Sequence, residues 1–280
     1  MFTGNSLYSV NLKVWTQHKI RKQVKNMQLQ KIPTILRNTT FLMFCCSSFL
    51  VFATDFSADA ILDSMTSVMQ PSTSQGKMEQ EIITSSRVKR VFVFEYFSAD
   101  KGANVLIRYI EPRKVRHNAF LIKNSGDDIW VYFPRTRRVR KLASHAKKQK
   151  AQGSDFSYED FSGSEEWKRD YWVKQEFSGE RENYLLSFTP RTGADSGYDS
   201  LKIYVNKLNY YPDRILYYQN GDHLKTLNFK DVQEIQGIPT AMSMRMENHV
   251  EDSQTTMRIL EMKYDVVFDE GFFSERNLKK

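Results

Sequence analysis

From Met78 almost to the C-terminus the chain alternates apolar and polar residues with period two, and no feature restricts its fold more. About eleven segments carry the pattern: 87–97, 103–110, 117–124, 127–133, 170–177, 183–188, 200–208, 214–220, 223–229, 241–246 and 257–268. Asp100-Lys101-Gly102, Asn124-Ser125-Gly126 and Asn220-Gly221-Asp222 punctuate them. Turns this tight join neighbouring antiparallel strands, so the expected arrangement is a meander and not a series of βαβ units. One short helix precedes it. Ala58, Ile61, Leu62, Met65, Val68 and Met69 recur at helical spacing, Asp55 or Ser57 can cap the start, and Pro71 follows the end.

One face of most strands is more apolar than the other. Val88, Phe92, Phe94 and Tyr96 share a side that Lys89 and Glu95 avoid. Tyr171, Val173 and Phe177 behave alike, as do Leu201, Ile203 and Val205, and Leu260, Met262, Tyr264, Val266 and Phe268. A sheet with one dry face must close on itself, pack on another sheet or be covered by helices. Few helices are available, so the expected fold is mainly β (α+β): a curved antiparallel sheet forming an incomplete β-barrel, with short helices as a lid. The stripe Met242, Met244 and Met246 adds flexible thioethers to that dry face, which suits either core filling or a surface that accommodates varied apolar guests.

The basic balance of the chain, 41 Lys and Arg against 33 Asp and Glu, comes from its N-terminus. Residues 1–53 hold seven of the basic residues and no acidic one, leaving 34 against 33 in the body. A protein that binds by neutralising phosphates needs its excess charge in the folded domain, so no nucleic-acid partner is expected. The segment 27–53 instead reads as a signal peptide: basic Lys31 and Arg37, an uncharged run from Phe41 to Ala53, then Val51 and Ala53 at the −3 and −1 positions of a cleavage site. Thirteen uncharged residues fall short of the ~20 that span a bilayer. Residues 1–26 read as an upstream extension or a disordered basic tail, and 54–280 as one domain exported to the periplasm.

Both cysteines, Cys45 and Cys46, lie in the signal, so the body has no thiol for a disulfide or a metal. His117, His145, His223 and His249 stand alone, with no H-E-x-x-H and no pair at metal spacing. The residues around Ser196 do not form a G-x-S-x-G elbow, and no phosphate-binding glycine pattern occurs. Catalytic residues, metals and cofactors are therefore not expected. The carboxylates Asp155, Glu159 and Asp160 are assigned a structural role.

The stretch "IEPRKVRHNAFLIKNSGDDIWVYFPRTRRVRKL" followed by "GSDFSYEDF" resembles the LolA-like outer membrane lipoprotein-sorting protein family, and "FFSERNL" resembles its C-terminal end. The similarity runs from about Asp55 to Leu278, with His117-Asn118 departing from the glycine usual before A-F-L. It implies a LolA-like half-barrel, a lid of helices and an apolar cavity that shields lipid or lipoprotein acyl chains in the periplasm. Within that frame the expected lining is Phe92, Phe94, Tyr96, Trp130, Tyr132, Met242, Met244 and Met246. The motif loop comprises Arg137, Arg138, Arg140, Gly153, Asp155, Phe156, Tyr158 and Asp160, with Ser144 to Gln152 crossing the mouth and the acidic residues offsetting the loop's positive charge. Two other classes stay open: an interaction or sensor module partnering an RND-type exporter or an envelope-stress regulator, and a hydrolase without a recognisable nucleophile.

Overall fold

The computed structural model describes residues 57–69, 71–161 and 165–280. The signal segment 27–53 and the extension 1–26 lie outside the described residues. The first described element, α1 (Ala58–Met69), starts where the spacing predicts, with the Ser57 hydroxyl accepting the amide of Ala60 at 3.2 Å. Its buried stripe is Ile61, Leu62 and Met65, each worth about 1.5–3 kcal/mol when withdrawn from water.

Thirteen strands follow: β1 (Thr73–Ile83), β2 (Lys89–Ala99), β3 (Asn104–Glu111), β4 (Ala119–Lys123), β5 (Asp128–Phe133), β6 (Arg138–Lys141), β7 (Tyr171–Glu176), β8 (Asn183–Pro190), β9 (Ser200–Asn206), β10 (Pro212–Gln219), β11 (Asp222–Ile235), β12 (Ile238–Asn248) and β13 (Ser253–Tyr264). A second helix, α2 (Glu165–Asp170), precedes β7. The strands form one antiparallel, curved, open sheet in the order β6-β5-β4-β3-β2-β1-β13-β12-β11-β10-β9-β8-β7. Two meanders are thus joined by the β1–β13 ladder, and β6 and β7 remain as unpaired edges.

The two strands beyond the expected eleven are β6, only four residues long, and β1. In β1 the inward positions are Ser74, Gly76, Met78, Gln80 and Ile82, of which only Met78 and Ile82 are apolar enough to carry the alternation. A register shift between Lys77 and Met78 leaves Leu260 of β13 without a partner. That bulge inverts the parity of β13. Met257 and Ile259 therefore join Met262 and Tyr264 on the inner face, while Leu260, expected among them, is half exposed. β13 ends at Tyr264, before Val266 and Phe268, and Val88 and Phe177 are also exposed.

The inner, concave face carries the main core, which includes Phe94, Tyr109, Phe120, Phe188 and Ile203, covered by α1 lying across β7, β8 and β12. The outer face is not wet throughout. Phe97, Leu106, Leu121 and Trp130 are aligned by register across β2 to β5, and Phe268, Phe272, Phe273 and Leu278 fold back over them. This cover is fastened by the Arg108 guanidinium donating to the Asn277 carbonyl at 2.8 Å. The sheet is therefore dry on both sides at its N-terminal half.

Candidate functional site

The chain from 142 to 170 connects β6 to β7, the two opposite edges, and so must traverse the whole sheet. It does so at the end where β13 and β11 begin. Gly153 turns with φ +70°, a conformation that disfavours any side chain, and its carbonyl accepts Arg90 of β2 at 3.1 Å. Asp155 then reaches β13: its buried carboxylate accepts the hydroxyls of Ser253 at 2.6 Å and Thr255 at 2.7 Å, and its amide donates back to the Thr255 hydroxyl at 2.9 Å. Asp160 reaches β11 and the loop before β9. Its carboxylate accepts Lys225 at 2.6 Å, the Tyr198 hydroxyl at 2.7 Å and the Ser157 amide at 2.7 Å. The Asp160 and Lys225 side chains are 2% and 4% exposed, a buried ion pair whose remaining donors and acceptors are met by neighbours. Lys225 also donates to the Asp155 carbonyl and lies 5.0 Å from the rings of both Tyr198 and Tyr217.

Glu159 completes the knot. Its carboxylate accepts the Gly197 amide at 3.0 Å and the Ser196 hydroxyl at 3.1 Å. A Cβ at Gly197 would stand 2.8 Å from that carboxylate, so any side chain there would have to displace it. Burial, reinforced by the charge of Asp160, raises the Glu159 pKa above the usual carboxylate value. Burial likewise pushes the Tyr198 and Tyr217 phenols well above the ordinary range, with Asp160 adding to both. Phe156 and Tyr158 enter the core beside Phe120 and Phe161. The expected neutralisation of the basic loop by its own acids is only partial: Lys150 meets Asp155 at 3.4 Å, whereas Lys147 and Lys148 pair with Asp195 and Asp160 pairs with Lys225.

Beneath this plug lies a cavity of about 260 Å³. Phe156, Asp160, Phe161 and Trp167 close it at one end, and Ser74, Ser98, Lys101, Gly102, Thr240 and Tyr264 form its rim at the other. Its wall includes five methionines, Met69, Met78, Met244, Met257 and Met262, together with Tyr96, Ile215, Leu227, Phe229 and Ile259. Apolar walls with a few convergent polar groups are typical of small-ligand sites.

Of the expected lining, Tyr96 and Met244 face the cavity. Phe92, Phe94 and Met246 belong to the packed core behind it, Phe94 wholly buried against Tyr109. Met242 is half buried and does not line the cavity. Trp130 and Tyr132 are displaced to the outer face: they pair with Leu121 and Ala119, one residue out of phase with the inward Phe120 and Val131. The same parity puts Arg138 and Arg140 opposite Phe133 and Val131, on the concave side at the exposed β6 edge, while Arg137 sits in the preceding turn with φ 52°. Inward-pointing charge on an edge strand discourages pairing with another sheet. Lys225, Tyr217 and Met257 escaped the sequence reading because only the fold brings them to the motif.

Two histidines read as solitary meet in space. The His223 and His249 rings are 4.4 Å apart, and the Nε2 atom of each lies 2.9 Å from the Thr226 hydroxyl. Burial and the neighbouring His249 lower the His223 pKa. Among the described residues no group of three or more His, Cys, Asp or Glu side chains is placed to hold a metal.

The family model described as "Uncharacterized protein" matches residues 101–280. No curated protein matches the chain. Among solved structures, a domain from Vibrio parahaemolyticus described as an outer membrane lipoprotein-sorting protein is 25% identical, with a TM-score of 0.72 over 80% of this chain and 98% of its own. A DUF1329 family protein from Desulfovibrio piger is also 25% identical, with a TM-score of 0.72 over 79% of this chain and 99% of its own. A LolA superfamily protein from Nitrosomonas europaea shares the fold at 20% identity and a TM-score of 0.66, covering 79% and 99%. The chain therefore belongs to the family whose model spans residues 101–280, and its open thirteen-stranded sheet has the LolA-like fold.

Proposed function

We propose that the protein is a non-enzymatic periplasmic carrier that shelters lipid or lipoprotein acyl chains during sorting to the outer membrane. The observation that carries this reading is the methionine-rich cavity between the concave sheet, α1 and the 142–170 crossover. Thioethers adapt to chains of varied shape at little cost. Resemblance to a lipoprotein-sorting domain supports the same role. Extraction and mass spectrometry of lipids from protein isolated from a bacterial periplasm tests it: acyl lipids at a substantial fraction of one per chain are expected, and lipid-free protein that also fails to bind added fatty acid contradicts it.

A second reading rests on the turns flanking β4 to β6. Arg113, Lys114, Arg135, Arg137, Arg138 and Arg140 are exposed and have no ion-pair partner among the described residues. Such a cationic surface suits an acidic partner, as an interaction module on an RND-type exporter or an envelope-stress regulator would require.

A further inference from the structure

A cavity built only for hydrocarbon needs no polar groups at its closed end, yet this one has them. Asp160 and Tyr217 both line it, beside Phe156. Tyr217 is 6% exposed, and its ring stands 4.8 Å from that of Tyr198. The hydroxyl of Tyr198 is spoken for by Asp160, whereas that of Tyr217 has no hydrogen-bond partner among the described residues. With no protein acceptor, that hydroxyl is free to donate to an oxygen delivered by a ligand in the cavity that Tyr217 lines.

The charges around it decide which oxygen. Lys225 is committed to the Asp160 carboxylate and the Asp155 carbonyl, so the pair is neutral as a unit. Glu159 lies next to Asp160 in the same buried knot. A carboxylate or phosphate pushed to this end would meet the Asp160 carboxylate on the wall, with Glu159 behind it, and find Lys225 already engaged. A hydroxyl or carbonyl meets no such opposition.

We propose that the closed end of the cavity is a polar subsite that receives a neutral oxygen function, so that the preferred guest is an apolar molecule entering with a hydroxyl or carbonyl group foremost. This rests on the carrier reading and narrows its ligand class. Tyr217 donates its hydroxyl hydrogen to the guest oxygen, and the Asp160–Lys225 pair holds the ring of Tyr217 in place through Lys225.

The test is displacement of a fluorescent fatty acid from the full chain by 1-hexadecanol, hexadecane and palmitate, on wild type and on Tyr217→Phe. Because that hydroxyl has no protein partner, the variant is expected to melt at or above the wild-type temperature. The alcohol should bind wild type more tightly than the hydrocarbon, and the variant should weaken the alcohol about three- to tenfold, the equivalent of one hydrogen bond. Hexadecane should stay within about twofold, and so should palmitate, whose carboxylate remains at the rim. Equal displacement by alcohol and hydrocarbon overturns the inference, as does an alcohol affinity unchanged in the variant, which would mean that the hydroxyl serves a bound water only. Equal weakening of palmitate and alcohol would refute the restriction to neutral groups. Failure of the probe to bind at all refutes the carrier reading itself and is distinguishable from each of these.

Discussion

Removing both partners of the Asp160–Lys225 pair should cost the protein less than the sum of removing each alone. Asp160→Ala strips the ammonium of Lys225 of its carboxylate and leaves it one carbonyl and two aromatic faces at 4% exposure. Lys225→Met leaves the carboxylate with the Tyr198 hydroxyl and the Ser157 amide. Breaking a buried pair from one side costs about 3–5 kcal/mol. The lysine deletion should sit at the lower end of that range, because Asp160 keeps two donors. At roughly 2–4 °C per kcal/mol for a domain of this size, each single variant should melt about 6–20 °C below wild type. The double variant leaves no orphaned charge, so its loss should fall short of the summed singles by at least about 1 kcal/mol. Urea or thermal denaturation of the four proteins measures the cycle. Single variants within about 1 kcal/mol of wild type, or strict additivity, would show that the knot does not hold the crossover to β11.

Phe94→Arg should fail to fold and lose ligand only as a consequence, since Phe94 is wholly buried in the core; a well-folded variant by circular dichroism would contradict that placement. Gly153→Ala should destabilise by about 1–2 kcal/mol for its left-handed backbone, read from the shift in the urea midpoint. For Glu159 the folded pKa is raised, so the native state binds the extra proton and stability falls as pH climbs above the unfolded value of about 4.3. Glu159→Gln should therefore match or exceed wild type at pH 7 and lose that advantage near pH 4, and a reversed order would overturn the assignment. His223 has a lowered folded pKa, so the stability it contributes is present above about 6.5 and is lost on acidification. Denaturation curves should show His223→Asn less sensitive than wild type between pH 7.5 and 5.5.

The sheet was legible because alternation with short turns leaves few other folds open, and the helix because its spacing and Ser57 cap agree. What escaped the sequence depends on parity and on contacts distant in the chain. The β1–β13 bulge at Leu260 moves Met257 and Ile259 inward, and no local pattern announces a bulge. Trp130 and Tyr132 are as apolar as their inward neighbours, yet the C-terminal phenylalanines make their outer face dry as well, so apolarity alone did not tell the two faces apart. The motif G-S-D-F-S-Y-E-D was visible as a resemblance, but its partners Gly197, Lys225 and Thr255 follow the motif residues they bind by 38 to 100 residues. Buried polar residues paired across strands carry no sequence signature of their own.

The central claim is that the cavity holds an apolar guest, and filling it is the most direct test. Met244 lines the cavity and is only half buried, so Met244→Trp adds bulk into open space instead of into packed atoms. Titration of a fluorescent fatty acid into wild type and variant, with thermal melts of both, gives the answer. Saturable binding near one probe per chain in wild type, reduced at least tenfold in a variant that still melts cooperatively, is the predicted result. Probe binding that is undiminished in the folded variant, or no saturable binding by wild type, would contradict it.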